Sequence, residues 1–134
     1  MRTGRCQCGD VRFECPDEPD ELYVCHCREC QRQSGSAFGI SFITRWDDLR
    51  LTQGEPQHWT RPTDSGGTVQ CAFCPSCGSR LWHRPDDADD IVSIKGGTLD
   101  QPVDVSAATH IWTTRKMPGV AIPDGATTFP GEPG

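Results

Sequence analysis

Cys74-Pro75-Ser76-Cys77-Gly78 is the stretch whose reading decides the fold of this chain. A C-x-x-C-G turn brings two thiolates to one side of a tight bend, and the glycine lets the backbone aim its N–H groups at sulfur. Two thiolates are half of a tetrahedral zinc site, so a second pair must come from elsewhere. Cys6-Gln7-Cys8-Gly9 is the natural donor, and it too is followed by a glycine. Cys6, Cys8, Cys74 and Cys77 then form a complete set of four thiolates, expected to hold a structural zinc with each sulfur at about 2.3 Å. A redox dithiol at Cys74 and Cys77 is the competing reading. Thioredoxin-like motifs sit in βαβ contexts, however, and this chain shows none.

A third cluster, Cys25-His26-Cys27-Arg28-Glu29-Cys30, packs three thiols into a short segment, which core filling does not explain. One reading is a second structural zinc whose fourth ligand is His26, Glu29, His58 or His110. The other is a zinc with three protein ligands and one open position. Three thiolates on Zn²⁺ leave a centre of net charge −1, a poor activator of water or carbonyls. Such a centre is better suited to binding an incoming thiol and keeping it ionised. Arg28 and Arg32 flank the cluster, where they either offset its charge or hold a substrate carboxylate, or are solvated surface. Cys15 reads as a small, partly buried residue, and Cys71 as an inert strand residue, a neighbour of one metal or a redox thiol. His110 is either a core histidine or site lining, and Trp46, Trp59, Trp82 and Trp112 read as core and cleft aromatics.

The chain has 134 residues, the size of a single domain. Only 34 % of residues are hydrophobic, and 14 glycines and 11 prolines further limit the core. Structural zinc would compensate, because apparent binding free energies of about 10–16 kcal/mol become folding free energy. The formal net charge is −6, and seven ionised thiols against two Zn²⁺ make it more negative still. That surface repels phosphate backbones, which argues against a nucleic-acid partner. Met1–Cys6 lacks the apolar segment of a signal peptide, and the longest apolar stretch, 37–43, is too short to span a bilayer. With nine cysteines in metal-type spacings, the expectation is a protein of the reducing cytoplasm rather than a disulfide framework.

Helical periodicity is nearly absent, and short alternating runs bounded by Gly, Pro, Asp and Ser predict a mainly β protein. Strands are expected over 10–14, 21–24, 37–44, 49–52, 57–60, 68–73, 79–82, 91–95 and 109–113. Turns are expected at 54–56, 64–67, 85–90 and 96–97, and one helical turn over 27–33. The domain is expected to span 1–117, followed by a tail over 118–134 that is either an extended strap or flexible.

Five elements occur in fixed order over about residues 4–115: Cys6-x-Cys8-Gly9-x-Val11-x-Phe13, Cys25-His26-Cys27-x-x-Cys30-Gln31-Arg32-x-Ser34-Gly35, Phe73-Cys74-x-x-Cys77-Gly78-Ser79-x-Leu81, Gly97-Thr98-Leu99-Asp100 and His110-Ile111-Trp112. Together they resemble the glutathione-dependent formaldehyde-activating enzyme family, which includes centromere-protein-V-like proteins. The resemblance implies a zinc-stabilised fold of coiled β-sheets, of the β-tent type. It implies structural zinc on Cys6, Cys8, Cys74 and Cys77, and catalytic zinc on Cys25, Cys27 and Cys30. The family activity adds glutathione to formaldehyde and gives S-hydroxymethylglutathione, formally carbon–sulfur lyase chemistry. Its partners are a small thiol and a small aldehyde, with no nucleic acid and no membrane. Two departures stand out: Cys71 where the family often has arginine, and Pro118-Gly119 where it closes on Pro-Trp. The alternatives are a non-catalytic scaffold with two structural zincs, and a methionine-sulfoxide reductase using a free cysteine such as Cys71.

Overall fold

The computed structural model of the protein describes residues 1–86 and 90–133. Along the chain run β1 (Arg2–Arg5), β2 (Arg12–Cys15), β3 (Glu21–Cys25), α1 (Arg28–Ser34), β4 (Gly39–Arg45) and β5 (Arg50–Gln53). These are followed by β6 (Gln57–Pro62), β7 (Thr68–Phe73), β8 (Arg80–Pro85), β9 (Ile91–Lys95) and β10 (Thr109–Ile111). The protein is mainly β and forms one domain, as its alternating runs predict. Each of the nine expected strands overlaps an observed one, and the helical turn expected over 27–33 is α1, shifted by one residue. The expected turn at 85–90 lies partly outside the described residues.

β1 is the strand that local pattern misses. Arg2-Thr3-Gly4-Arg5 carries no apolar side chain, and its extended form comes from antiparallel pairing with Arg12–Cys15. β1, β2 and β5 form a three-stranded sheet. The other strands form a seven-stranded sheet in the order β10-β3-β4-β9-β8-β7-β6, antiparallel except for the β10–β3 pair.

The main core lies between the two sheets. Phe13 from the small sheet, with Val11 just before its strand, meets Phe42, Ala72, Trp82, Val92 and Ile94 from the large one. Phe13 sets its ring edge against Trp82, with centroids 5.6 Å apart and planes at 84°. Side chains alternate across a strand, so this core claims one face of the large sheet and sends the residues between to the other. In β9, Val92 and Ile94 are core while Ser93 and Lys95 point away. The outer face therefore carries Cys25 and Tyr23 of β3, Gly39, Ser41 and Ile43 of β4, and Lys95 and Ser93 of β9. It continues through His83 of β8, Cys71 of β7 and Trp59 of β6, all aligned by register.

A smaller cluster of Cys25, Cys30 and Ile111, with Tyr23, Cys27, Trp112 and Phe129 against it, sits at the β10 edge. The chain beyond residue 117 returns to this edge. His110 N–H donates to Thr127, Phe129 N–H to His110 and Trp112 N–H to Gly131. Among the described residues no helix is long and apolar enough to cross a membrane.

Candidate metal centres

Folding brings Cys6, Cys8, Cys74 and Cys77 together, with all four sulfurs within 4.8 Å of one another. Cys6 and Cys8 are 3.6 Å apart, and Cys8 and Cys74 are 3.8 Å apart. Four sulfurs at the zinc–thiolate distance of about 2.3 Å stand about 3.8 Å from each other in a tetrahedron. The donor set and its spacing therefore fit zinc. Gly78 has φ +82°, and its N–H donates to the Cys74 carbonyl at 2.8 Å, closing the turn that faces both sulfurs inward. Val11 N–H donates to Cys6 sulfur at 3.3 Å, and the Ser79 hydroxyl lies 3.2 Å from Cys77 sulfur. Hydrogen bonds from Ser79 bring the Cys77 thiol down to about 5. Cys6 and Cys74 are buried in the main core, while Cys8 and Cys77 are exposed. This cluster closes the joint between the two sheets.

The second group is Cys25, Cys27 and Cys30, again with sulfurs within 4.8 Å. Cys25 ends β3, Cys27 caps α1 by accepting the Cys30 N–H at 3.3 Å, and Cys30 lies in the first turn of the helix. The remaining position is set by Gly39, paired with Cys25 in the sheet. A Cβ on Gly39 would stand 3.2 Å from Cys30 Cβ and 3.5 Å from its sulfur, so only glycine leaves that space free. Hydrogen bonds from Cys25 and then Cys30 pull the Cys27 thiol down to about 2, while the bond to Cys27 drives Cys25 upward. Ionising all three needs a cation among them, and a soft divalent metal suits three sulfurs.

Among the described residues no fourth His, Cys, Asp or Glu joins this group. Each ligand that the sequence offered is placed elsewhere. His26 Nε2 is 2.9 Å from His110 Nδ1 in the interior, Glu29 faces Arg32 and Arg61 at 3.7 Å each, and His58 is exposed on β6. His110 is thus buried and paired with a histidine. Arg28 donates to Gln31 Oε1, and with Arg32, Gly35 and Met117 it lines a cleft of about 460 Å³ that none of the three cysteines borders. Cys15 is completely buried, and Cys71 is buried in β7 between Trp59 and His83.

Sequence reasoning missed the groups that surround the trio. Lys95 Nζ donates to His83 Nδ1 at 2.6 Å on the same sheet face. Burial lowers Lys95 to about 8, against the opposing pull of Cys30, Cys71 and Cys25. Burial first, then the charges of Lys95 and Arg61, push His83 well below its usual range. Arg80 stacks its guanidinium over the Trp59 ring at 5.5 Å. Lys95, Arg61 and Arg80 thus bring three cationic side chains near His83 in a chain of net charge −6. No local motif announces these residues, because only register across several strands places them together.

Fold and side chains define a small β protein with two cysteine groups able to hold metal ions, one of four sulfurs and one of three. The family model for the glutathione-dependent formaldehyde-activating enzyme matches residues 1–115, and the chain belongs to that family. The fold is also similar to the crystal structure of a Rhodobacter sphaeroides protein, with TM-score 0.62 and 22 % identity over 81 % of this chain and 98 % of that one.

Proposed function

We propose that the protein is a zinc-dependent carbon–sulfur lyase that joins a low-molecular-weight thiol, of glutathione type, to a small aldehyde such as formaldehyde, or reverses that addition. In this reading Cys6, Cys8, Cys74 and Cys77 hold a structural zinc, and Cys25, Cys27 and Cys30 hold the catalytic one. The observation that carries it is the three-sulfur group with no fourth protein ligand among the described residues. Zinc bound by three thiolates would accept an exogenous thiol and keep it ionised. The chain's own residues then supply the rest. Glu29 and Arg61 bridge α1 to β6 across the sheet face, and Lys95, Arg61 and Arg80 offset the charge of the sulfurs. Holding thiolate and aldehyde side by side supplies most of the rate gain. Family membership supports a small thiol and a small aldehyde as partners, and a reducing cytoplasm suits both the free cysteines and the thiol.

The test is calorimetry of the zinc-loaded protein with glutathione, followed by exchange kinetics between formaldehyde and its glutathione adduct. Saturable thiol binding with accelerated exchange is the expected result. A zinc-loaded protein that binds no thiol and leaves exchange at its spontaneous rate would remove this reading.

A further inference from the structure

The four sulfurs of the first group are alike in chemistry and unlike in access. Cys6 is 1 % exposed and Cys74 0 %, both within the main core, while Cys8 and Cys77 are exposed. The two exposed sulfurs come from opposite halves of the group. Cys8 lies in the turn between β1 and β2 of the small sheet, and Cys77 in the turn between β7 and β8 of the large one. A cysteine's susceptibility to oxidants follows thiolate character and access together. A metal site holds all of its sulfurs as thiolates, so access decides which of them a small oxidant meets.

Freedom to move divides the sulfurs the same way. Cys6 sulfur accepts the Val11 N–H at 3.3 Å, and the Cys6 and Cys74 backbone N–H groups donate to Val11 and Ser79 carbonyls at 3.1 and 3.0 Å. Cys8 and Cys77 sit on turn tips outside any strand. Ser79 keeps those tips side by side, because its hydroxyl oxygen accepts the Gln7 N–H at 2.9 Å and lies 3.2 Å from Cys77 sulfur. All four sulfurs stand within 4.8 Å of one another. A disulfide of about 2.05 Å between Cys8 and Cys77 therefore needs the two tips to close by about 3 Å at most.

We propose that Cys8 and Cys77 are an oxidation site, where hydrogen peroxide exchanges the metal staple between the two sheets for a disulfide staple. One of the two thiolates attacks the peroxide. Its S–O bond forms, the O–O bond breaks, and the departing hydroxide takes a solvent proton to become water. The second thiolate attacks the resulting sulfenic sulfur; the S–S bond forms, the S–O bond breaks, and another hydroxide leaves as water. Each sulfur gives up one electron, and the peroxide takes both. The group then offers only Cys6 and Cys74, too few for a tetrahedral zinc site, and these two take up protons as the ion is released. The new bond joins the same two turns, so the sheets stay linked once the metal has gone. The inference goes beyond the lyase reading and needs zinc in the four-sulfur group alone.

The test treats the zinc-loaded protein with hydrogen peroxide, follows zinc release with a chromogenic chelator, alkylates free thiols and maps bridges by mass spectrometry. A Cys8–Cys77 bridge should form in step with the release of one zinc, leaving Cys6 and Cys74 to be alkylated. The oxidised protein should melt below the zinc-loaded one yet cooperatively, and should lose that transition when a reductant is added beside the chelator. Cys77→His keeps four donors of types that zinc accepts and removes one exposed sulfur. It should bind two zincs and hold the one in this group at least about tenfold longer under the same peroxide. Three results overturn the inference: Cys8 and Cys77 left unbridged, a bridge to Cys6 or Cys74 in their place, or zinc loss from Cys77→His at the wild-type rate. Each leaves glutathione binding, and with it the lyase reading, untouched. If Cys77→His takes up only one zinc, the bridge map of the wild type decides alone.

Discussion

His26 Nε2 and His110 Nδ1 meet at 2.9 Å with nearly parallel rings, tying the loop of the clustered cysteines to the strand that receives the C-terminal strap. The facing nitrogens share a single proton, so a second proton breaks the bond. Burial also holds His110 below the usual histidine range. A base whose folded pKa is depressed favours folding when neutral. Its contribution is present above about pH 6.5 and lost as pH falls through the folded value. Chemical denaturation of the zinc-loaded protein should show stability falling below pH 6.5. His110→Asn should reduce that slope by up to about 1.4 kcal/mol per pH unit. Equal slopes for the two proteins would assign the acid lability to metal loss alone.

The strap has its own test. Phe129 packs on the Cys25–Cys30–Ile111 cluster, its N–H donates to His110, and Glu132 accepts the Trp112 indole N–H at 2.9 Å. Trp112 itself has φ +55°, rare for a bulky residue, which this packing stabilises. Phe129→Ala should cost about 1–3 kcal/mol. Truncation after residue 117 should cost more and increase labelling of Cys25 and Cys30 by a thiol reagent in the metal-free protein. A truncated protein with unchanged melting and labelling would make the tail an ornament and residue 117 a true border.

What was legible in the chain follows from how far each signal reaches. Cys25, Cys27 and Cys30 are a few residues apart, so one loop and one helical turn group them, and spacing alone revealed it. Cys6 and Cys74 are far apart in sequence, yet each carries a glycine-closed turn that marks it as half a site. Strands such as β9 declared themselves by alternation, with Val92 and Ile94 in the core. β1 and the strap did not, because both are strand-like only through hydrogen bonds to a partner. The same holds for Lys95, His83, Arg61 and Arg80. Their meeting at the sulfurs depends on the register of β4, β9, β8, β7 and β6 in turn, and a one-residue slip would turn a strand's side chains to the opposite face.

Cys71 is where the redox alternative can be decided. It is buried in β7, flanked by Trp59 and His83, and belongs to neither sulfur group. A reductase cysteine needs access and thiolate character, and burial denies it the first. Cys71→Ser should keep both zincs and thiol binding. It should lose about 1–3 kcal/mol of stability by placing a hydroxyl where its hydrogen-bond needs are poorly met. Methionine-sulfoxide reduction that is present in the wild type and abolished in this variant would reinstate the alternative.

The division of labour between the two sulfur groups is tested by one pair of substitutions. Cys74 has no exposed surface and shares its cluster with Phe13, Leu81 and Trp82. Losing its zinc removes free energy on the order of 10 kcal/mol, comparable to the whole stability of a domain this size. Cys74→Ser should therefore bind one zinc fewer and lose its cooperative thermal transition. Cys27 lies half-buried at the edge and its local task is to cap α1, a task serine performs well. Cys27→Ser should also bind one zinc fewer, but melt within a few degrees of the wild type and fail to bind glutathione. Metal counts and circular-dichroism melts on the two variants read both outcomes. If Cys27→Ser unfolds as completely as Cys74→Ser, both metals are structural, and the protein is a scaffold rather than an enzyme.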